Sequence, residues 1–135
     1  MKILLEIIML HFQPERIHLA VQIGIGTVWI FHGLYSKLLN GIPRHRLIIG
    51  KILGTQRAVI ATGIIGLLEV LLGVWAITDW QPVGCASVQT AALIAMNSLE
   101  IVLARELLIS AIGMVILNLL FLVLVWWWAA FPPGS

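Results

Sequence analysis

The sequence predicts an all-α membrane protein in which four transmembrane helices form a bundle. Three observations indicate this class. The chain of 135 residues is 61% hydrophobic and only 10% charged, whereas soluble domains carry about 25% charged residues. Its mean hydropathy is +1.06. The apolar residues fall into four segments, each near or above the roughly 20 residues that span a bilayer.

These segments use nearly all of the chain, so no room remains for a soluble domain. We therefore expect a single transmembrane domain over residues 1–135. The four spans are predicted at about residues 17–39, 58–78, 83–104 and 107–130.

Two shorter helices are predicted around the first span. Residues 1–12 are largely apolar and include Lys2 and Glu6. They predict a short interfacial helix rather than a signal peptide, because Glu6 interrupts the stretch and no small-residue cleavage site follows. Residues 44–57 mix isoleucine and leucine with basic side chains, which predicts an amphipathic helix on an anionic leaflet. Its basic residues could bind a partner instead, although lipid contact is the favoured interpretation.

The charge pattern predicts an orientation in the inner (cytoplasmic) membrane. The loop between spans one and two holds basic residues without one acid, and a Lys/Arg excess in short loops marks the cytoplasmic side. Both termini are then expected on the outer, periplasmic side. The predicted cytoplasmic anchors are Arg44, Arg46, Lys51, Arg57 and, after span three, Arg105.

The same pattern accounts for the net charge of +2, so no nucleic-acid partner is expected. The expected partners are the lipid bilayer and either the subunits of a membrane complex or a second copy of the chain.

Tryptophans support the predicted boundaries. Trp75 and Trp80 bracket the outer end of span two, and residues 126–128 are three tryptophans at the outer end of span four. Such rings favour membrane interfaces because one edge can meet water while the body stays apolar. Trp29 falls well inside span one and is interpreted as a packing residue.

Glu69 is the one charged residue of the second predicted span. At 1.5 Å per residue it would lie about 16 Å deep, where a carboxylate costs roughly 2.5 kcal/mol or more. At helical spacing its neighbours include Gly66 and Gly73. Small residues let another helix approach closely, so Glu69 is expected to face the interior of the bundle.

The other spans carry polar residues at matching depths, which predicts a polar column open toward the cytoplasm. From the surface inward its layers are Lys37 with Glu100, His32 with Asn97, and Glu69 with Asn118.

Three roles for this column stay open. It could hydrogen-bond the carbonyls of a quinone and relay protons. It could carry protons or a small solute across the membrane. The groups could also simply bond one another and hold the helices together.

Metal binding is not predicted. Cys85 is the single cysteine, which leaves no intrachain disulfide or CxxC pair. The histidines are spread over several depths without an HxxxH pair. They are His11, His18, His32 and His45.

Three stretches together make the chain resemble the DoxX-like family of small four-helix membrane proteins. They are WIFHGLYSKL at 29–38, GIIGLLEVLLG at 63–73, and MNSLE at 96–100 continuing through AREL at 104–107 to Asn118. The resemblance implies a four-helix bundle. It also implies polar family positions at Lys37, Glu69, Asn97, Glu100 and Arg105.

The function expected from this resemblance is that of an accessory component. The family takes its name from a subunit of a thiosulfate:quinone oxidoreductase, but this chain lacks paired cysteines for sulfur chemistry. We expect a small polytopic protein in a quinone-linked redox or respiratory system, with quinone as the candidate cofactor. It is expected not to be an enzyme itself or, if it is one, to be a subunit of a quinone-linked oxidoreductase. The alternatives are a small transporter or proton-conducting protein, and a purely structural or assembly partner.

Overall fold

A computed structural model describes residues 1–11 and 13–133, and within these ranges the chain forms helices and no strand. Phe12, the last residue of the predicted interfacial helix, lies outside the described residues. A π-helix, Phe31–Leu38, continues α2, and a 3-10 turn, Arg105–Leu107, precedes α6. The α-helices are α1 (Lys2–His11), α2 (Pro14–Ile30), α3 (Pro43–Leu53), α4 (Thr55–Thr78), α5 (Pro82–Leu103) and α6 (Ala111–Ala130).

Among the residues that the structure describes, four helices are long and apolar enough to cross a membrane, which confirms the predicted four-helix fold class. The first lies within the stretch Lys2–Leu38, and the others are α4, α5 and α6. Proline opens α2, α3 and α5, at the first turn where its missing N–H would be unpaired in any case.

The link between α5 and α6 is longer than the sequence suggested. The sequence placed the start of span four at residue 107, but α6 begins at Ala111. Ser110 caps this helix, because its Oγ accepts a hydrogen bond from the Gly113 N–H at 3.0 Å. A serine in this position satisfies one of the free N–H groups of the first turn.

Helices α2 and α4 pack with their backbones in direct contact. A Cβ placed on Gly26 would lie 2.8 Å from the carbonyl oxygen of Gly73, and one on Gly66 would lie 2.7 Å from that of Gly33. Along the first span Gly26 comes before Gly33, whereas along α4 its partner Gly73 comes after Gly66. The first span and α4 therefore run antiparallel. Glu69 lies between Gly66 and Gly73 and is therefore buried in this contact.

Part of the tryptophan cluster near the end of α6 is buried rather than interfacial. Trp128 is only 1% exposed and belongs to the main apolar core with Ile25 and Cys85. Its backbone carbonyl oxygen accepts a hydrogen bond from Nε2 of His18 at 2.9 Å. Three consecutive helical residues point in directions about 100° apart, so they cannot all face the membrane surface.

Helix α3 closes one end of the bundle, called here the α3 end. Its sequence is amphipathic as predicted, but its apolar face packs against the protein and not against lipid: Ile48 and Ile49 are buried. The helix contacts α4, α5 and the π-helical segment. Contact with the leaflet surface therefore stays a prediction for the basic face of α3 only.

The α2–α4 contact predicts that Gly66→Ala lowers the free energy of unfolding by about 1–3 kcal/mol, because the added methyl group must push the helices apart. Thermal unfolding of the purified protein in detergent measures this loss. Gly63→Ala is the matched control, since a Cβ there meets no atom within 4 Å. Equal losses in the two variants would contradict the close contact.

Candidate functional site

A buried ion pair joins α4 to the π-helical end of the first span. The Nζ of Lys37 lies 2.8 Å from Oε1 of Glu69 and donates a hydrogen bond to Oε2 at 2.9 Å. The two side chains are only 10% and 6% exposed. Each charge thus has its partner at contact distance inside the membrane-spanning part of the protein.

The antiparallel packing of α2 and α4 produces this pair. The Cβ of Lys37 lies beside Gly66, 3.0 Å from where a Cβ on that glycine would be. Side chains tilt toward the N-terminus of their own helix. In antiparallel helices these tilts are opposed, so Lys37 and Glu69 lean toward each other. Their backbones lie at different depths, yet their charged ends meet.

The first span changes from α-helix to π-helix at Phe31, and Lys37 lies within the π-helical part. The hydrogen bond from Leu39 N–H to Leu34 C=O, at 2.9 Å, runs to the fifth preceding residue. π-helical segments are rare and often occur at functional sites. Within this segment the hydroxyl of Ser36 is buried and has no hydrogen-bond partner among the described residues.

A cavity of about 310 Å³ lies beside the ion pair. Much of its wall is apolar and includes Trp29, Met96 and Phe121, and α3 covers one side with Ile48 and Ile49. All six polar candidates of the sequence analysis line this one cavity. They are His32, Lys37, Glu69, Asn97, Glu100 and Asn118.

The contacts among these residues differ from the predicted layers. Asn118 donates a hydrogen bond through Nδ2 to Oδ1 of Asn97 at 2.9 Å. Lys37 pairs with Glu69 and not with Glu100. Glu100 lines the cavity but forms no ion pair with any residue that the structure describes. Backbone depth alone does not show which side chains bond each other, because it ignores the reach and tilt of the side chains.

His45 is a cavity residue that the sequence analysis did not place at the site. Its ring stacks on that of His32, with centroids 5.9 Å apart and planes 19° apart. Burial, and after it the positive charge of Lys37, lower the pKa of His45 from 6.5 to about 4. Its Nδ1 is buried without a partner among the described residues. His45 is therefore neutral at pH 7 and has a free ring nitrogen.

A signal for His45 was present in the sequence. His45 precedes Ile48, Ile49 and Ile52 at the spacing of one helix face, and these three isoleucines line the same cavity. The amphipathic pattern thus placed the histidine on the apolar face. What the pattern could not show was that this face turns toward the protein.

The ring of Trp29 is held in place by its hydrogen bond. Its Nε1 donates to Oε1 of Gln89 at 2.7 Å, and Gln89 donates through Nε2 to the sulfur of Cys85 at 3.3 Å. Phe121 meets the Trp29 ring edge to face at 6.2 Å. Trp29 is thus a packing residue, as interpreted from the sequence, and also one wall of the cavity.

The predicted anchors are at or near the α3 end. Four of them are exposed, and Arg46 is half-buried. Lys51 forms an exposed ion pair with Glu106, Nζ to Oε1 at 3.0 Å, which links α3 to the turn before α6. A hydrogen bond from its own backbone, and then the one from Lys51, lower the pKa of Glu106. Within the described part of the chain, no group of three His, Cys, Asp or Glu residues is placed to hold a metal ion.

Fold and cavity together define a small multi-pass membrane protein with a buried polar centre. The chain belongs to the DoxX-like family, whose model matches residues 26–126. The match begins within α2 and ends within α6, so it includes every membrane-embedded residue of the cavity. No curated protein and no solved structure matches the chain.

Breaking the buried pair should cost far more than breaking the exposed one. We expect Lys37→Met to lower the free energy of unfolding by about 3–5 kcal/mol, because it leaves a buried carboxylate without a partner. The double variant Lys37→Met with Glu69→Leu should lose less than the sum of the two single variants. Chemical denaturation in detergent measures all three proteins.

The control is Lys51→Met, which removes a charge from the exposed pair. We expect a much smaller loss there, since solvent screens such pairs. Strictly additive losses for Lys37 and Glu69 would show that the pair contributes no coupling energy.

His45 predicts a loss of stability in mild acid. Its pKa is lowered from 6.5 to about 4 by folding, so the unfolded chain binds a proton between these values and the folded chain does not. The midpoint of thermal unfolding should therefore fall as the pH decreases from 6.5 toward 4. His45→Gln should remove this part of the pH dependence. An equally steep pH profile in His45→Gln would rule out His45 as its source.

Proposed function

We propose that the protein binds the ring of a membrane-dissolved quinone in the cavity beside Lys37 and Glu69, as an accessory component of a quinone-linked redox system. One observation carries this proposal. The cavity combines hydrogen-bond donors with flat apolar walls inside the membrane-spanning bundle. A quinone ring is complementary to this cavity, because two carbonyl oxygens, which accept hydrogen bonds, project from a flat apolar ring.

The residues of the cavity fit such a ring. Lys37 carries an ammonium group at one side of the cavity, and the Nδ2 of Asn97 is not used in its bond with Asn118. The rings of Trp29 and Phe121 offer apolar faces on which a ring can stack. Hydrogen bonds in such a water-poor setting are stronger than those in water. The cavity thus supplies a donor on two different helices.

The chain's own residues also determine how protons are held near the ring. A quinone bound here would take up protons when another component of the redox system supplies it with electrons. Glu100 has no ion-pair partner among the described residues, and neutral His45 has a free Nδ1. Both lie in the same cavity as the ion pair. Glu100 and His45 are therefore the groups that can hold or pass a proton without breaking the bond between Lys37 and Glu69.

We further propose the inner membrane as the location, with the α3 end in the cytoplasm and both termini outside. This orientation is supported by the basic anchors near the α3 end, because cytoplasmic loops carry an excess of Lys and Arg. The accessory role rests on the family, which is named after a subunit of a quinone oxidoreductase. Other subunits of a membrane complex, or a second copy of the chain, are the proposed partners.

Two other functions are each favoured by a specific observation. Transport of protons or a small solute is favoured because three charged side chains, Lys37, Glu69 and Glu100, line one cavity. A purely structural role is favoured because two polar bonds join neighbouring helices, from Lys37 to Glu69 and from Asn118 to Asn97. Both functions use the residues assigned to the quinone, so an experiment must separate them.

The test measures binding of a tailless dimethoxybenzoquinone to the protein in lipid nanodiscs, by quenching of tryptophan fluorescence and by thermal stabilisation. Glu69→Gln and Asn118→Leu should each weaken binding about tenfold, since the first removes the charge that holds Lys37 and the second removes the amide that holds Asn97. Glu106→Gln is the matched control, because Glu106 is exposed and lies outside the cavity. We expect it to bind like the unaltered protein.

Flux measurements in proteoliposomes separate the alternatives. Proton flux that Glu69→Gln abolishes, without quinone binding, would replace the proposal by transport. Neither binding nor flux, with effects on stability alone, would leave the structural role.

A further inference from the structure

A second cavity, of about 420 Å³, lies between α4 and α5. Glu69 is the one charged residue among its lining residues. The remainder of its wall is apolar or aromatic and includes Leu68, Leu71, Leu72, Val88 and Ala92. A chain of CH₂ groups fits such surroundings, whereas a polar molecule would lose its hydrogen bonds there.

The two cavities adjoin at the ion pair. Trp29, Ile65, Glu69 and Met96 line both of them. On one side of these four residues lie the imidazole, amide and carboxyl groups of the first cavity, and on the other side the walls are apolar. A molecule that extends across this junction must therefore have one polar end and one apolar end.

The second cavity also faces the lipid. Leu68, Leu71 and Val88 are 59%, 56% and 46% exposed on the outer surface of the bundle, which acyl chains cover when α4 and α5 span a membrane. On the α5 side, Ala92 contributes only a methyl group to the wall. An apolar chain can thus pass between α4 and α5 without crossing either end of the bundle.

We infer that this second cavity is the tail site of the ligand whose polar ring lies beside Glu69. The ligand class is a lipid-soluble molecule with one polar ring and one alkyl or isoprenoid chain, and it enters sideways between α4 and α5. This inference rests on the proposed function, since that function places the ring in the first cavity. It adds the direction of the tail and the route of entry.

The position of the tail is a better criterion than its affinity. The tail leaves lipid for an equally apolar site, so the hydrophobic effect contributes little to binding, and packing decides. If the second cavity were only a groove filled by lipid, it would hold the tail of a bound quinone no more often than any other acyl chain. The decisive measurement therefore maps where the end of the tail lies.

The first experiment uses a decyl-substituted dimethoxybenzoquinone with a diazirine at the end of the chain, bound to the protein in nanodiscs and then photolysed. We expect labelling of Leu68, Leu71, Val88 or Ala92, and its loss when excess unlabelled decylquinone competes. Labelling spread over exposed lipid-facing positions such as Leu117 of α6, or labelling that competition does not reduce, would overturn the inference.

The second experiment narrows the cavity with Ala92→Leu, whose added atoms occupy the space of the tail. Ala91→Leu is the matched control, because Ala91 is exposed and does not line the cavity. We expect Ala92→Leu to weaken decylquinone about tenfold or more while tailless quinone binds as before. Ala91→Leu should change neither.

The two quinones separate the inference from the proposed function. If tailless quinone binds at Glu69 and Ala92→Leu leaves decylquinone unaffected, the tail site is wrong and the proposed function stands. If Ala92→Leu weakens both quinones equally, the second cavity belongs to the ring site and the tail site is again wrong. If neither quinone binds the unaltered protein, the proposed function and the tail site both fall.

Discussion

The structure depends on the direct contact between the backbones of α2 and α4. Gly26 and Gly33 meet Gly73 and Gly66 with no room for a side chain. In a membrane such close approach is the main source of helix association, because lipid tails are as apolar as the side chains. The contact also holds the charged residues in place. Only at this short separation does Lys37 reach Glu69 from the neighbouring helix.

The buried pair changes what Glu69 means for the protein. A lone carboxylate in the membrane would be costly, whereas a carboxylate bonded to an ammonium group is a strong local dipole with no net charge. Such a dipole suits a neutral polar ligand better than an ion. The surrounding cavity is apolar on most sides, and a second apolar cavity adjoins it at Glu69. The two cavities together are therefore polar at one end and apolar at the other, as an amphipathic ligand is.

The sequence predicted the membership of the cavity better than its internal contacts. Helical spacing identified His32, Asn97 and Asn118 as inward-facing, because a polar group on a lipid-facing side is penalised wherever it occurs. It did not identify the Lys37–Glu69 pair, since backbone depth takes no account of opposed side-chain tilts. His45 was missed for another reason. Amphipathicity shows that a helix has an apolar face, but lipid and protein are equally apolar surroundings for it.

The sequence by itself determined the class of protein, the four membrane-crossing helices and the inward face of Glu69, because length, hydropathy and small-residue spacing are local properties of the chain. Only the tertiary structure decided which polar groups bond each other, that α3 covers the cavity, and that Trp128 is in the core. The physical reason is the same in each case. These features depend on which helix faces which, and in a uniformly apolar sequence the pattern of hydrophobicity does not distinguish a protein neighbour from lipid.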